Sequence, residues 1–197
     1  MPFTTLDLSK QSGTSLPSTI TSLDATVLSG NLPALNGSAL TNIDGGKVLQ
    51  AVTATTGTQT EVTSTTYTNT NLTANITPSA TNSKILIIVS DNSQFTHTGS
   101  NNDNGMSFRI KRTIGGSDST VVTDNQPYQG FYSSRMVAGY QNRRQHTTLH
   151  FLDTAHNTTS QITYTLQINV YRGNDGGHGR SAHDNSRGNI TLMEIAA

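Results

Sequence analysis

Residues 160–171, SQITYTLQINVY, alternate strictly: Ile162, Tyr164, Leu166, Ile168 and Val170 share one parity, and Thr163, Thr165, Gln167 and Asn169 share the other. Successive side chains of an extended strand point to opposite faces, so this run predicts a strand with one core face and one wet face. GMSFRIKRT at 105–113 repeats the design, with Met106, Phe108 and Ile110 inward and Ser107, Arg109 and Lys111 outward. KILIIVS at 84–90 is nearly all apolar and reads as a central strand buried on both faces. NTNLTANIT, TTLHFLD and NITLMEI supply three more candidate strands. Turn signals separate these runs, among them Pro78-Ser79, Asn104-Gly105, Gly115-Gly116 and Asp175-Gly176-Gly177. Strands at this spacing with no helical period between them predict an all-β fold, an antiparallel β-sandwich with jelly-roll-like connections, over residues 47–197.

Residues 1–46 follow another rule. Leu6 and Leu8 alternate as in an extended arm, and SLPSTITSLDATVLSG then sets Leu16, Ile20, Leu23 and Val27 at intervals of 4, 3 and 4. Ser15 caps the start, Pro17 sits in the first turn and Gly30 lies past the end, so a short helix with a single apolar stripe is predicted. A helix of about twelve residues is marginal alone. Three identical chains side by side would turn each stripe toward a common axis, where Leu32, Leu35, Leu40 and Ile43 continue as layers of three. The expectation is a homotrimer, with residues 1–46 as arm, helical stem and attachment segment and residues 47–197 as a knob.

The 197 residues contain 12 Lys+Arg against 12 Asp+Glu, with no cysteine, 32% hydrophobic and 12% charged residues. A balanced, sparse charge gives a polyanion nothing to hold, so nucleic acid is not an expected partner. The longest apolar run, ILIIV at 85–89, is far too short to span a bilayer, and no membrane insertion is expected. No signal peptide is evident at the N-terminus, and the expectation is a soluble chain made in a cytoplasm.

Candidate chemistry is thin. His146 and His150 fall on one strand face with His156 after them, yet no HxH or HExxH spacing occurs and they read as polar outward residues. GGHGRSAHDNSRG brings His178, His183 and Asp184 together without a nucleophile elbow, and its glycines predict a mobile surface loop. HTGSNNDNG is oxygen-rich but lacks the acid spacing of a calcium loop, and reads as a hairpin tip. Glu61 and Glu194, the only glutamates, sit in strand-like segments and suggest no facing carboxylate pair. No catalytic residue, metal or cofactor is expected. PYQGFYSSRMVAGYQNRR is the richest segment, holding Tyr128, Phe131, Tyr132, Arg135, Tyr140, Arg143 and Arg144. Tyrosine and arginine are common anchors of recognition surfaces, though such aromatics equally fill a core or a subunit interface.

GNLPALNGSALTNI followed by KVLQ, then LTANITPSATNSKILIIVS, FLDTAHNTTSQITYTLQ and GNITLMEIAA, resemble the C-terminal repeat-and-knob region of tail-fibre and related virion proteins of aquatic phages, cyanophages in particular. The resemblance covers about residues 28–197. It implies a trimeric β knob on a thin stem at the virion surface. The arm would contact other virion proteins, of the tail or the major capsid, and the knob a host surface glycan or protein. Only some 27 residues of this sequence precede the matching part, without the long shaft or large anchor expected of a tail fibre, which also admits a short head fibre or a capsid cement protein clamping coat subunits.

Overall fold

In a computed structural model, the described residues are 47–98, 103–123, 126, 129–134, 140–173 and 175–197. The predicted arm, the helical stem and its residues Leu16 to Ile43 lie outside them. Eleven strands follow in order: β1 Val48–Thr56, β2 Thr60–Val62, β3 Thr68–Ile76, β4 Lys84–His97, β5 Asn104–Ile114, β6 Ser117–Thr123, β7 Phe131–Ser133, β8 Gln141–Asp153, β9 Ile162–Val170, β10 Gly177–Ser181 and β11 Gly188–Ile195. Apart from the three-residue 3-10 turn at His183–Asn185, the described fold is strands and loops.

All strand pairs are antiparallel and form two sheets. The first runs β1-β11-β4-β10-β2, with β8 along the other side of β4, and the second runs β3-β9-β5-β6, with β7 also on β5. The 14-residue β4 organises the first sheet: β11 lies along Lys84–Ser90, β10 along Gln94–His97, and β8 along Ile85–His97. Among the pairs, only β5 and β6 are consecutive in sequence, joined by Gly115 and Gly116 with φ of +56° and +84°, backbone angles that favour glycine. The core lies between the sheets. Ile85, Ile87, Val89, Phe95, Ile190 and Leu192 from the first face Leu72, Ile76, Met106, Phe108, Ile110 and the apolar face of β9 from the second.

The six predicted strands are all present, but three details differ. KILIIVS is central yet not buried on both faces: Ile85, Ile87 and Val89 are buried, whereas Leu86 and Ile88 are half-exposed, because no described layer covers the outer face of this sheet. The polar face of β9 is not wet. Thr165, Gln167 and Asn169 are buried because β9 lies between β3 and β5, whose long side chains close over it. Gln167 accepts from Arg109 Nε at 2.5 Å and donates to Asn69 at 2.7 Å, Ser107 donates to Asn169 at 2.6 Å, and the hydroxyls of Thr73 and Thr165 meet at 3.0 Å. HTGSNNDNG is not a hairpin tip: it joins β4 of one sheet to β5 of the other, with residues 99–102 outside the described set.

Gly176 to Gly188 also departs from the loop expectation. Gly177–Ser181 form β10, in which Gly177, Gly179 and Ser181 are buried. A Cβ on Gly177 would stand 2.7 Å from Val170 Cγ1 and 2.6 Å from Asn104 Nδ2, and one on Gly179 3.0 Å from the Met106 sulfur. The glycines permit close approach of the two sheets.

Candidate recognition surface

The aromatic segment divides by strand parity. β7 pairs Phe131–Ser133 with Met106–Asn104 of β5, which turns Phe131 inward, 4% exposed, with its ring 6.1 Å from Phe108 and 6.5 Å from Phe95. Gly130 makes the approach possible, since a Cβ there would lie 2.3 Å from the Phe108 ring. Phe131 is therefore core rather than an exposed contact. Tyr132 points out, 45% exposed, and its hydroxyl donates to Asp103 at 3.3 Å. Tyr140 is 62% exposed, just before β8. Arg143 and Arg144 are exposed, and Arg144 reaches Asp184 at 3.1 Å. Tyr128 and Arg135 lie outside the described residues.

Arg143 and Arg144 stand opposite Phe95 and Gln94 near the end of β4 and point to opposite faces of β8, whereas Tyr132 lies opposite Gly105 of β5 in the second sheet. Desolvation pushes the Asp103 carboxyl up, but hydrogen bonds from Arg172, at 3.0 Å, and from Tyr132 outweigh it and hold the group below its ordinary range. At the same end a polar row crosses four strands. Glu61 of β2 accepts from His178 at 2.6 Å and Arg180 at 2.8 Å, Arg180 donates to Gln94 at 2.6 Å, and Gln94 donates to Asn142 at 2.8 Å. The Arg180 hydrogen bond, followed by the lesser pull of His178, keeps Glu61 below the usual carboxylate range despite partial burial.

The opposite end of this sheet, where β1 begins, is apolar outside as well as inside. Ala51, Met193, Leu86 and Leu152 stand in register across β1, β11, β4 and β8. Val48, Leu49 and Leu152 nearby are 51%, 41% and 40% exposed. Leu86 of the apolar row and Phe95 opposite Arg143 are nine residues apart on β4, roughly 30 Å at about 3.3 Å per residue.

The histidines serve local structure. His156 is buried, with Nε2 at 2.7 Å from the Ser83 carbonyl and Nδ1 at 3.1 Å from that of Thr158. His146 is on β8, 3.1 Å from Ser90, and His150 stands exposed opposite Ile88. His178 belongs to the Glu61 row, and His183 is buried against Gln59, 3.1 Å away. Among the described residues no three His, Cys, Asp or Glu side chains are grouped to hold a metal ion.

Three carboxylates are buried: Asp91 and Asp153, which no sequence motif pointed to, and Glu194, expected only as part of a strand. Asp153 of β8 takes both oxygens to Arg112 Nη1 of β5, at 3.0 and 2.9 Å, and accepts from the Tyr164 hydroxyl of β9 at 2.8 Å, bolting one sheet to the other. Asp91 accepts from Ser93, Ser181 and the Ala182 N–H at 2.6, 3.1 and 3.0 Å. Glu194 accepts from Gln50 at 2.6 Å and from the Ser79 N–H and hydroxyl at 2.7 and 2.8 Å. The available signal was parity: Asp91 and Asp153 continue the inward-facing sets of Ile85–Val89 and Leu149–Phe151.

No family model matches the chain, and no curated protein matches it. Among solved structures it is similar to the VP2 subviral particle of infectious bursal disease virus, at 13% identity and a TM-score of 0.38, over 85% of this chain and 42% of that one. It is also similar to the Gt strain of that virus (12%, TM-score 0.31, 76% and 39%) and to its derived T=1 particles (12%, TM-score 0.34, 76% and 37%). The chain spans about two fifths of the length of these chains, and at such TM-scores the likeness carries no argument about function.

Proposed function

We propose that this chain is a non-enzymatic structural protein of a phage particle, a homotrimeric short fibre whose β-sandwich knob is displayed for host attachment. The observation that carries the reading is the contrast between the two ends of β4. The chain enters β1 beside an outward apolar row, and exposed Tyr140, Arg143 and Arg144 lie at the start of β8, toward the far end, with exposed Tyr132 on β7 of the other sheet. Apolar rows left open on a sheet mark contact with protein, and tyrosine with arginine is the usual chemistry of a recognition patch. The sequence resemblance to phage knob regions supports the same assignment. In this reading the arm and the stem residues Leu16, Ile20, Leu23 and Val27 bind the particle and the trimer axis.

A second reading, a capsid cement protein, is favoured by the apolar row alone, since a flat row across four strands suits a coat surface. The discriminating experiment combines light scattering, imaging of labelled particles and adsorption. The attachment reading expects a solution mass of three times 21.0 kDa, loss of particle incorporation on combining Ile20→Asp with Leu23→Asp, and poorer adsorption for Tyr140→Ala and Arg143→Ala. A monomer at micromolar concentration would overturn the trimer. Normal adsorption with heat-labile capsids would favour cement.

A further inference from the structure

The outer face of the second sheet holds a cleft that the attachment reading leaves unused. Its volume is about 220 Å³, and it is lined by Arg109, Lys111 and Gln167 from the sheet and by Asp118, Ser119 and Thr120 from β6. We infer that this cleft is a binding site for one carboxylate-bearing sugar residue of an acidic polysaccharide, with Arg109 as the carboxylate anchor.

Arg109 is held before any ligand arrives. Its guanidinium carbon lies 4.3 Å from the centre of the Tyr67 ring, and its Nε donates to Gln167, which is fixed in turn by Asn69. The Tyr67 hydroxyl is tied to Ser107 at 2.8 Å and to Thr123 at 3.4 Å, so the stacking platform is fixed too. Among the described residues no acceptor hydrogen-bonds to the terminal nitrogens of Arg109, although its charge also acts on the nearby Asp118 carboxylate. An arginine gripped by Nε and by its face, with its forked end unused, is arranged for a two-point bond to a carboxylate. A rigid cation of this kind loses little freedom on binding.

Charge and lining narrow the ligand. Lys111 spends one bond on Asp118, at 2.9 Å, and Asp118 also accepts from Thr113 at 2.6 Å, so two cations face one carboxylate and the cleft is left with a single positive excess. That suits a singly charged group better than a phosphodiester chain, which needs cations in series. The lining residues are charged, hydroxyl or amide throughout, with no aliphatic or aromatic residue of the kind that anchors a peptide. Ser119 and Thr120 on one wall offer hydroxyls to a polyhydroxylated ring. The volume is below that of usual drug-sized sites and holds about one ring.

The inference deepens the attachment reading by naming a receptor chemistry, and its test uses purified protein without cells. The full chain is titrated by calorimetry with trigalacturonate, with neutral galactotriose and with sodium sulfate at constant ionic strength. Binding of trigalacturonate alone is expected, weakened about tenfold or more by Arg109→Gln and several-fold by Lys111→Gln, with both variants melting near the parent temperature. Equal binding of galactotriose or of sulfate, no binding of trigalacturonate at millimolar concentration, or undiminished binding by a folded Arg109→Gln would each overturn it. If either variant melts early, the other, or chemical-shift mapping of the parent, decides: shifts centred away from β5 and β6 count against the cleft. Should trigalacturonate bind while particles adsorb normally with Arg109→Gln, the cleft stands and the attachment role falls.

Discussion

At the scale of single residues, Glu194 shows how an acid can be a structural part. Burial pushes its carboxyl up, but bonds from Gln50 and from the Ser79 N–H and hydroxyl outweigh that and bring it down to about 2. A folded value below the unfolded one, near 4.5, means the contribution to stability is complete above about pH 4.5 and disappears as the pH falls toward 2. The whole effect is about 3 kcal/mol. Glu194→Gln should lower stability at neutral pH and shrink the gap from the parent between pH 4.5 and 2, read from urea midpoints across that range. Strand parity makes a second prediction. Phe131→Ala should cost about 3–5 kcal/mol because it empties a site between Phe95 and Phe108, while Tyr140→Ala should stay within about 0.5 kcal/mol, as melting curves of the two will show.

At the scale of elements, alternation was the legible part. β3, β4, β5, β8, β9 and β11 all contain a run whose apolar residues recur at every second position or lie in an unbroken stretch, and each could be placed from the sequence. β10 could not, because GHGRS has no apolar residue; its inward positions are small so that the other sheet can come close, a pattern that in one dimension looks like a loop. β2 and β7 are three residues each, too short for a period. β6, SDSTVVT, is an edge strand with little buried surface to shape its sequence. The candidate surface was legible as a composition of Tyr and Arg, but which of them face out depended on a pairing of β7 with β5 that no local signal encodes. Gly177→Ala tests the account of β10. It should cost about 1–3 kcal/mol through a clash with Val170 and Asn104, seen as a lowered melting temperature, whereas a loop glycine would tolerate alanine.

At the scale of the whole molecule, the two sheets are held by apolar packing and by the Asp153–Arg112–Tyr164 bolt, and Tyr164→Phe, which keeps the packing and the arginine bond, should cost about 1–2 kcal/mol by chemical denaturation. The order of strands has a further effect, in time rather than in space. β11 lies between β1 and β4, so the first sheet has a gap in its middle until residues 188–195 have been synthesised, and only β5 and β6 can pair as neighbours in sequence. Long-range pairings must close large loops before any burial rewards them, which slows folding. A chain cut after Arg187 should remain unfolded, and the full chain should refold from urea in the range of milliseconds to seconds typical of non-local β folds, rather than in microseconds. During synthesis the aliphatic strand Ile85–Val89 emerges about sixty residues before β8 and about a hundred before β11, the two strands that flank it, leaving one sticky edge exposed until residues 188–195 have been made.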